Sequence, residues 1–232
     1  MRLQCAKDRV SRTVNIALFG GTFDPIHAGH LRAAKVAARK FRLGKILFVP
    51  SGNPPHKHRD RLTPFAHRFA MVTLACQGDR RFVPSLLEAP RPGRRPHYSV
   101  DTAKAVTDSL EATDDLYFLL GLDAFLDLPH WKNYRHLFDL MDFIVVSRPG
   151  FGSAQILKVV PRRRPQSGNR GSARTAGARK TQKGAVHVLR GVHVPVASRD
   201  IREAVAARRR VTGLVHPLVE EYIRKEGLYT SV

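Results

Sequence analysis

Two histidines three residues apart, His27 and His30, stand in the stretch GGTFDPIHAGHL (residues 20–31), directly after the apolar run VNIALF. Residues at i and i+3 of a helix share a face, so the two imidazoles can serve one site. Three chemistries fit: two ligands of a metal ion, two donors to a polyphosphate, or two structural histidines. A metal ion needs a third and a fourth ligand, and no nearby Cys or Glu supplies them. The glycines favour the polyphosphate. Gly20 and Gly21 permit backbone geometry and close approach that a Cβ would block, Thr22 adds a hydroxyl, and Phe23, Asp24 and Pro25 lead into a helix expected to begin near Gly29. The amides around His30 and Leu31 then turn the positive end of the helix toward the same anion. The expectation is a phosphate site in which His27 and His30 are donors and no metal is held by the protein.

Three further places carry groups suited to a phosphorylated ligand. PSGNPPHKHR (50–59) follows an apolar run, and Pro54 and Pro55 restrict the loop that presents His56 and Lys57. A solvated charged loop is the alternative there. In VASRDIREAV (196–205), Ser198 is a good helix N-cap and Arg202 lies one turn further on, so a hydroxyl and a guanidinium flank a helix start. An ordinary capped surface helix fits the same pattern. Trp131, the only tryptophan, follows LLGLDAFLDLPH and is flanked by His130, Lys132 and Asn133. A lone Trp is commonly core, but these polar neighbours predict that one face of the indole meets a ligand or water. Asp123 can cap the helix expected after Gly121.

The elements that position these groups alternate. Apolar runs at 14–19, 45–50, 115–120 and 142–147 read as buried parallel strands. Between them lie helical patterns at 31–41, at 63–76 with Thr63 as N-cap and Pro64 at the first helical position, and at 99–112. Strand and helix in turn imply an α/β fold, a doubly wound (Rossmann-like) parallel sheet with helices on both faces. Its ligands are expected beyond the carboxyl ends of the strands, where the strand order reverses.

The chain has 232 residues and a formal net charge of +21, which suits phosphorylated substrates and also invites a nucleic-acid reading. No acidic residue lies between Phe143 and Arg199, and ten Lys or Arg fall between Gly152 and Arg190, almost half of the excess. RRRPQSGNRGSARTAGARKTQKG (162–184) has no hydrophobic periodicity, and the stretch at about 152–184 is expected to be a disordered basic insertion. No aromatic residue interrupts that run to stack on bases, so a solvated loop is favoured over an RNA-binding arm and no nucleic-acid partner is expected. The domain reading is a basic tail at 1–13 followed by one domain at 14–232 that contains the insertion. No apolar run approaches the roughly 20 residues of a bilayer span and no secretory signal opens the chain, so a cytoplasmic protein without a membrane partner is expected. Cys5 and Cys76 form no CxxC pair.

GTFDPIHAGHL resembles the GxFDPxHxGH signature of the HxGH nucleotidyltransferases, and the remaining motifs resemble the bacterial nicotinate-nucleotide adenylyltransferase family within them. NPPHK (53–57), RFAMVTLAC (68–76), HYSVDT (97–102), LLGLDAFLDLPHW (119–131), VVSRPG (145–150) and LVHPLVEEYIRKEGLY (214–229) each have a counterpart there. The resemblance implies that ATP is bound by Gly20, Gly21, Thr22, Phe23, His27, His30, Asp123, Ser198 and Arg202, with His27, His30 and Arg202 catalytic. It implies that nicotinate mononucleotide is bound by His56, Lys57, Tyr98, Ser99, Trp131 and Lys132, the Trp stacking on the pyridine ring. The implied reaction is attack of the mononucleotide phosphate on the α-phosphorus of ATP, with Mg2+ carried by the polyphosphate. The chain departs from the family at Ala197 and Arg199, which replace Ser and Thr of ISSTxIR, at Val100 for Thr, and at Lys132, where many relatives have Tyr. Rival readings are a related adenylyltransferase acting on nicotinamide mononucleotide or phosphopantetheine, and a nucleic-acid-binding protein that uses the basic insertion.

Overall fold

The computed structural model describes residues 14–52, 62–91, 96–111, 114–147, 153–161, 183–192 and 195–230. Among them six strands form one sheet: β1 (Asn15–Gly21), β2 (Leu43–Pro50), β3 (Phe82–Pro84), β4 (Asp115–Gly121), β5 (Asp142–Val146) and β6 (Val186–Leu189). All five pairings are parallel, in the order β3-β2-β1-β4-β5-β6. The chain builds outward from β1 on one side and returns to build outward from β4 on the other. The order therefore reverses between β1 and β4, and the crevice beyond their carboxyl ends is the expected ligand position.

The period of two in β1 separates two cores. Ala17 and Phe19 face one side and pack with α1 (Ala28–Lys40), α2 (Phe65–Cys76), α7 (Ser198–Ala206) and α8 (Pro217–Lys225). Ile16 and Leu18 face the other and pack with α3 (Ser99–Thr107), α4 (Leu122–Asp127), α5 (Tyr134–Leu140) and α6 (Ser153–Val159). Small residues set the spacing on the first side, since the buried stripe of α1 is Ala33, Ala34, Ala37 and Ala38. No helix among the described residues is long and apolar enough to cross a membrane.

Several boundaries differ from expectation for local reasons. The helix expected from Thr63 begins at Phe65 with Pro64 as N-cap, because the Thr63 N–H donates to the Asp24 carboxylate and the Thr63 carbonyl accepts from Arg68. The helix expected to reach 112 ends at Thr107, where the Ser109 hydroxyl donates to the Val106 carbonyl and competes with helix continuation. Short β3 and β6 extend both edges of the sheet beyond the four strands expected. The expectation of disorder over 152–184 is corrected at its start: SAQILKV folds as α6, because Ile156 and Val159, one turn apart, are buried in the second core. At its end Lys183 pairs with Asp115, and the Gly184 amide donates to Asp142. The intervening 162–182 lie outside the described residues, as does the basic tail at 1–13.

Candidate active site

At the tip of β1 a Cβ on Gly21 would come within 2.9 Å of the Phe23 ring, which is buried beneath it. Gly20 lies against Phe118 of β4 in the same way, at an ordinary 3.5 Å. Phe23 takes a left-handed backbone (φ 49) and packs edge-on to His30, with ring centroids 5.0 Å apart. His27 is the N-cap of α1, and its N–H donates to His30 Nδ1 at 3.2 Å. The two imidazoles stack at 3.6 Å. Gly29 between them leaves room for this packing, since a Cβ there would meet the His27 ring at 3.0 Å and the ring would have to give way.

This geometry fixes protonation. Because His30 Nδ1 accepts a hydrogen bond, the neutral ring carries its proton on Nε2, which is the ring's donor. Burial pushes His27 down to about 4 against a smaller opposing pull from Asp200. Burial, and then the neighbouring His27, push His30 well below its ordinary value. Both rings are neutral at pH 7. Among the described residues His27 Nδ1 is buried with no hydrogen-bond partner. The helix end is less open than expected: the Ala28 amide donates to the Leu214 carbonyl, and the Leu31 amide is already within the helix, on the His27 carbonyl.

From the other end of the chain, α7 closes onto the same loop. The Ser198 hydroxyl donates to the Pro25 carbonyl (2.9 Å) and Arg202 Nη1 to the Asp24 carbonyl (2.7 Å). Ser198 is not the N-cap expected. That position is Ala197, whose amide is satisfied by the Asp200 carboxylate at 2.9 Å, so the Ser198 hydroxyl is used on the loop instead. Arg199 points away, paired with Glu203 at the surface.

Beneath the loop lies a residue for which sequence reasoning assigned no role. Arg68, 2% exposed, donates from Nε to the Thr63 carbonyl (2.9 Å), from Nη1 to Thr22 (2.7 Å) and from Nη2 to Ser51 (2.8 Å). It joins the segments that follow β1 and β2 to the start of α2. Asp24, 3% exposed, accepts from the Thr63 amide (3.2 Å) and from the Tyr229 hydroxyl (2.6 Å).

The second group sits at the tip of β4. Trp131 is half-buried, edge-on to Phe118 at 6.1 Å, and its indole N–H donates to Asp127 (3.0 Å), whose other oxygen pairs with His130. Lys132 Nζ stands 4.1 Å above the ring of Tyr98, the N-cap of α3, and Ser99 opens that helix. Thr102 of α3 donates to the buried Glu88, whose carboxyl is raised by burial. Asp123 is exposed in the first turn of α4, with Gly121 rather than Asp123 as the cap. The histidine loop follows β1 and Trp131 follows its neighbour β4, so both groups stand beyond the carboxyl ends of adjacent strands where the strand order reverses. His56 and Lys57 lie outside the described residues. Among the described residues no group of three or more His, Cys, Asp or Glu could hold a metal ion.

Residues 18–212 match the cytidylyltransferase-like family. A protein of Desulfotalea psychrophila named "probable nicotinate-nucleotide adenylyltransferase" is 35% identical over 92% of this chain and 99% of its own. A protein of the same name from Pelobacter propionicus is 36% identical over 94% and 99%. This chain belongs to the nicotinate-nucleotide adenylyltransferase family. The fold of this chain is shared with the solved Plasmodium falciparum nicotinic acid mononucleotide adenylyltransferase complexed with NaAD, at a TM-score of 0.68 and 21% identity over 94% of this chain and 98% of that one. A second Plasmodium falciparum structure, complexed with APC, gives 0.66 at 21% identity over the same shares.

Proposed function

We propose that the protein transfers the adenylyl group of ATP to nicotinate mononucleotide, giving nicotinate adenine dinucleotide and pyrophosphate in NAD biosynthesis. The observation that carries this reading is the stacked His27–His30 pair at the start of α1, just after β1, with the half-exposed Trp131 beyond the adjacent strand β4, both at the carboxyl end of the sheet where the strand order reverses. One side of the crevice offers donors to phosphate and the other a stacking face for a ring.

In the proposed reaction a phosphate oxygen of the mononucleotide attacks the α-phosphorus, the bond to the β-phosphate oxygen breaks, and pyrophosphate leaves with that electron pair. The nucleophile needs no base, since a phosphomonoester with a second pKa of about 6 is largely dianionic at neutral pH. The protein aligns the two phosphates and stabilises charge on the leaving group. We assign that stabilisation to His27, His30 and Arg202, with the loop Gly20, Gly21, Thr22 and Phe23 shaping the ATP side, Ser198 positioned beside it, and Asp123 reaching the nucleoside. Trp131, Tyr98 and Ser99 take the pyridine ring, Lys132 adds charge for its carboxylate, and His56 and Lys57 take the mononucleotide phosphate. The donors here are imidazoles and amides, which suit anionic oxygen rather than a cation. Mg2+ therefore enters as MgATP, part of the substrate. The reading includes one cytoplasmic catalytic domain from residue 14, interrupted by a basic insertion that spans 162–182.

The test is pyrophosphate release with MgATP and either nicotinate or nicotinamide mononucleotide. A charge-assisted hydrogen bond to the carboxylate contributes about 1.5 to 3 kcal/mol, so tenfold or greater preference for the acid is expected. Equal use of both mononucleotides, or release that needs neither, would overturn the assignment.

A further inference from the structure

The loop that carries His27 is held by the turn that follows α8. After α8 the Leu228 amide turns back onto the Ile223 carbonyl (3.0 Å), and Tyr229 follows in a left-handed backbone (φ 63). An aromatic residue rarely adopts that conformation, and such strain persists where the surroundings over-determine it. What fixes Tyr229 is its hydroxyl, which donates to Asp24 Oδ1 at 2.6 Å across 205 residues of sequence. α8 itself is seated on α2 through the Tyr222 hydroxyl and His67 Nδ1, 2.9 Å apart.

Asp24 makes this contact consequential. Its carboxylate is buried, with one oxygen on the Thr63 amide and the other on Tyr229, while its carbonyl is where Arg202 docks. Phe23 on its N-terminal side also holds a left-handed backbone, and His27 is three residues on. Two guanidiniums stand near this residue: Arg68, buried beneath the loop with Nε, Nη1 and Nη2 each on a carbonyl, and Arg202, with Nη1 on the Asp24 carbonyl.

We propose that Tyr229 is a positioning residue for adenylyl transfer: by donating to the Asp24 carboxylate it fixes the histidine loop and keeps that buried charge from drawing Arg202 away from the triphosphate. The inference rests on the reading of His27, His30 and Arg202 as a phosphate clamp. Without the Tyr229 hydroxyl, the carboxylate oxygen it held competes with ATP for Arg202, because the Arg68 donors are already committed to carbonyls and a buried charge that has lost a donor recruits another. Removing the carboxylate as well ends the competition. A role in folding alone predicts the opposite, since the double variant then loses more contacts than the single.

The experiment measures kcat and both KM values for wild type, Tyr229→Phe and Tyr229→Phe/Asp24→Asn, at a temperature where melting curves show each to be folded. Tyr229→Phe should raise the ATP KM or lower kcat by about tenfold, with the mononucleotide KM unchanged, and the double variant should lie closer to wild type than the single. Were the single variant too unstable to assay, the double variant, in which no carboxylate is left to compete for Arg202, should keep a near-wild-type ATP KM. Wild-type constants in Tyr229→Phe, parallel changes in both KM values, or a double variant no better than the single would overturn the latch. His30→Ala runs alongside. If it is inactive while Tyr229→Phe is normal, the latch alone falls; if it turns over normally, the clamp reading falls and the latch with it.

Discussion

Replacing His27 by Asn should remove a defined part of the protein's acid sensitivity. The folded state holds this imidazole neutral, with its pKa pushed from 6.5 down to about 4, first by burial. The unfolded chain therefore binds more protons between those values, and stability falls as pH drops through 6.5 toward 4. Integration of the linkage relation puts the loss from this one residue at about 1.5 kcal/mol at pH 5.5 and about 2.5 kcal/mol at pH 4.5, and close to nothing above pH 7.5. Asn cannot titrate and is a favourable N-cap, so the start of α1 survives the change. Urea denaturation of both proteins at several pH values reads the difference directly. The variant's stability curve should be flatter on the acid side by about these amounts. His30 shifts in the same direction and leaves a residual slope. Two curves that stay parallel from pH 7.5 to 4.5 would refute the argument that His27 is buried uncharged.

Arg68→Met should lower the unfolding free energy by about 3 kcal/mol, because three backbone carbonyls lose their donor at about 1 to 3 kcal/mol each, offset by relief of a buried charge. A loss under 1 kcal/mol in urea denaturation would show that those carbonyls find other partners. Trp131→Ala should raise the mononucleotide KM strongly with the ATP KM nearly unchanged, and Lys132→Gln should reduce the preference for nicotinate over nicotinamide mononucleotide without impairing use of the amide. An ATP-only defect in the first variant, or an unchanged preference in the second, would return Trp131 to the core and Lys132 to the surface.

What could be read in the sequence was what is local in it. The central strands are continuous apolar runs because both faces of the sheet are covered, and such runs need no tertiary information to recognise. β3 and β6 escaped because FVP and VHVL are too short and mixed to stand out, and they pair only because a formed edge is there to receive them. α6 was hidden by its basic surroundings, although Ile156 and Val159 already had helical spacing. The histidine pair was legible because its geometry is carried by four consecutive residues, His27 to His30. Asp24, Arg68 and Tyr229 were not, since each acts through partners that lie elsewhere in the chain and become neighbours only in the fold. The available signals were weak: an arginine on the buried side of a helix, and a tyrosine just past the last helix.

On the proposed reaction, the neutrality of the two imidazoles fits a site that must release pyrophosphate as well as bind ATP. The chain's excess of positive charge raises the local concentration of anionic substrates over distances set by salt screening, without itself touching them. Two permanent cations in place of the rings would bind ground-state ATP strongly as well as the transition state, and that uniform part of the interaction lowers KM without raising kcat. Neutral imidazole N–H donors behave differently. Their hydrogen bonds strengthen as charge builds on the departing oxygen, and the rings become more basic as it does, so their contribution is largest where the reaction is slowest. Arg202 is the one fixed charge placed on the histidine loop from α7, and Nη1 of its guanidinium is already committed to the Asp24 carbonyl. The consequence is directional. Bound triphosphate favours the protonated rings, so stabilisation of the fold by ATP should increase as pH falls from 7 toward 5, opposite in sign to the stability of the free protein over the same range.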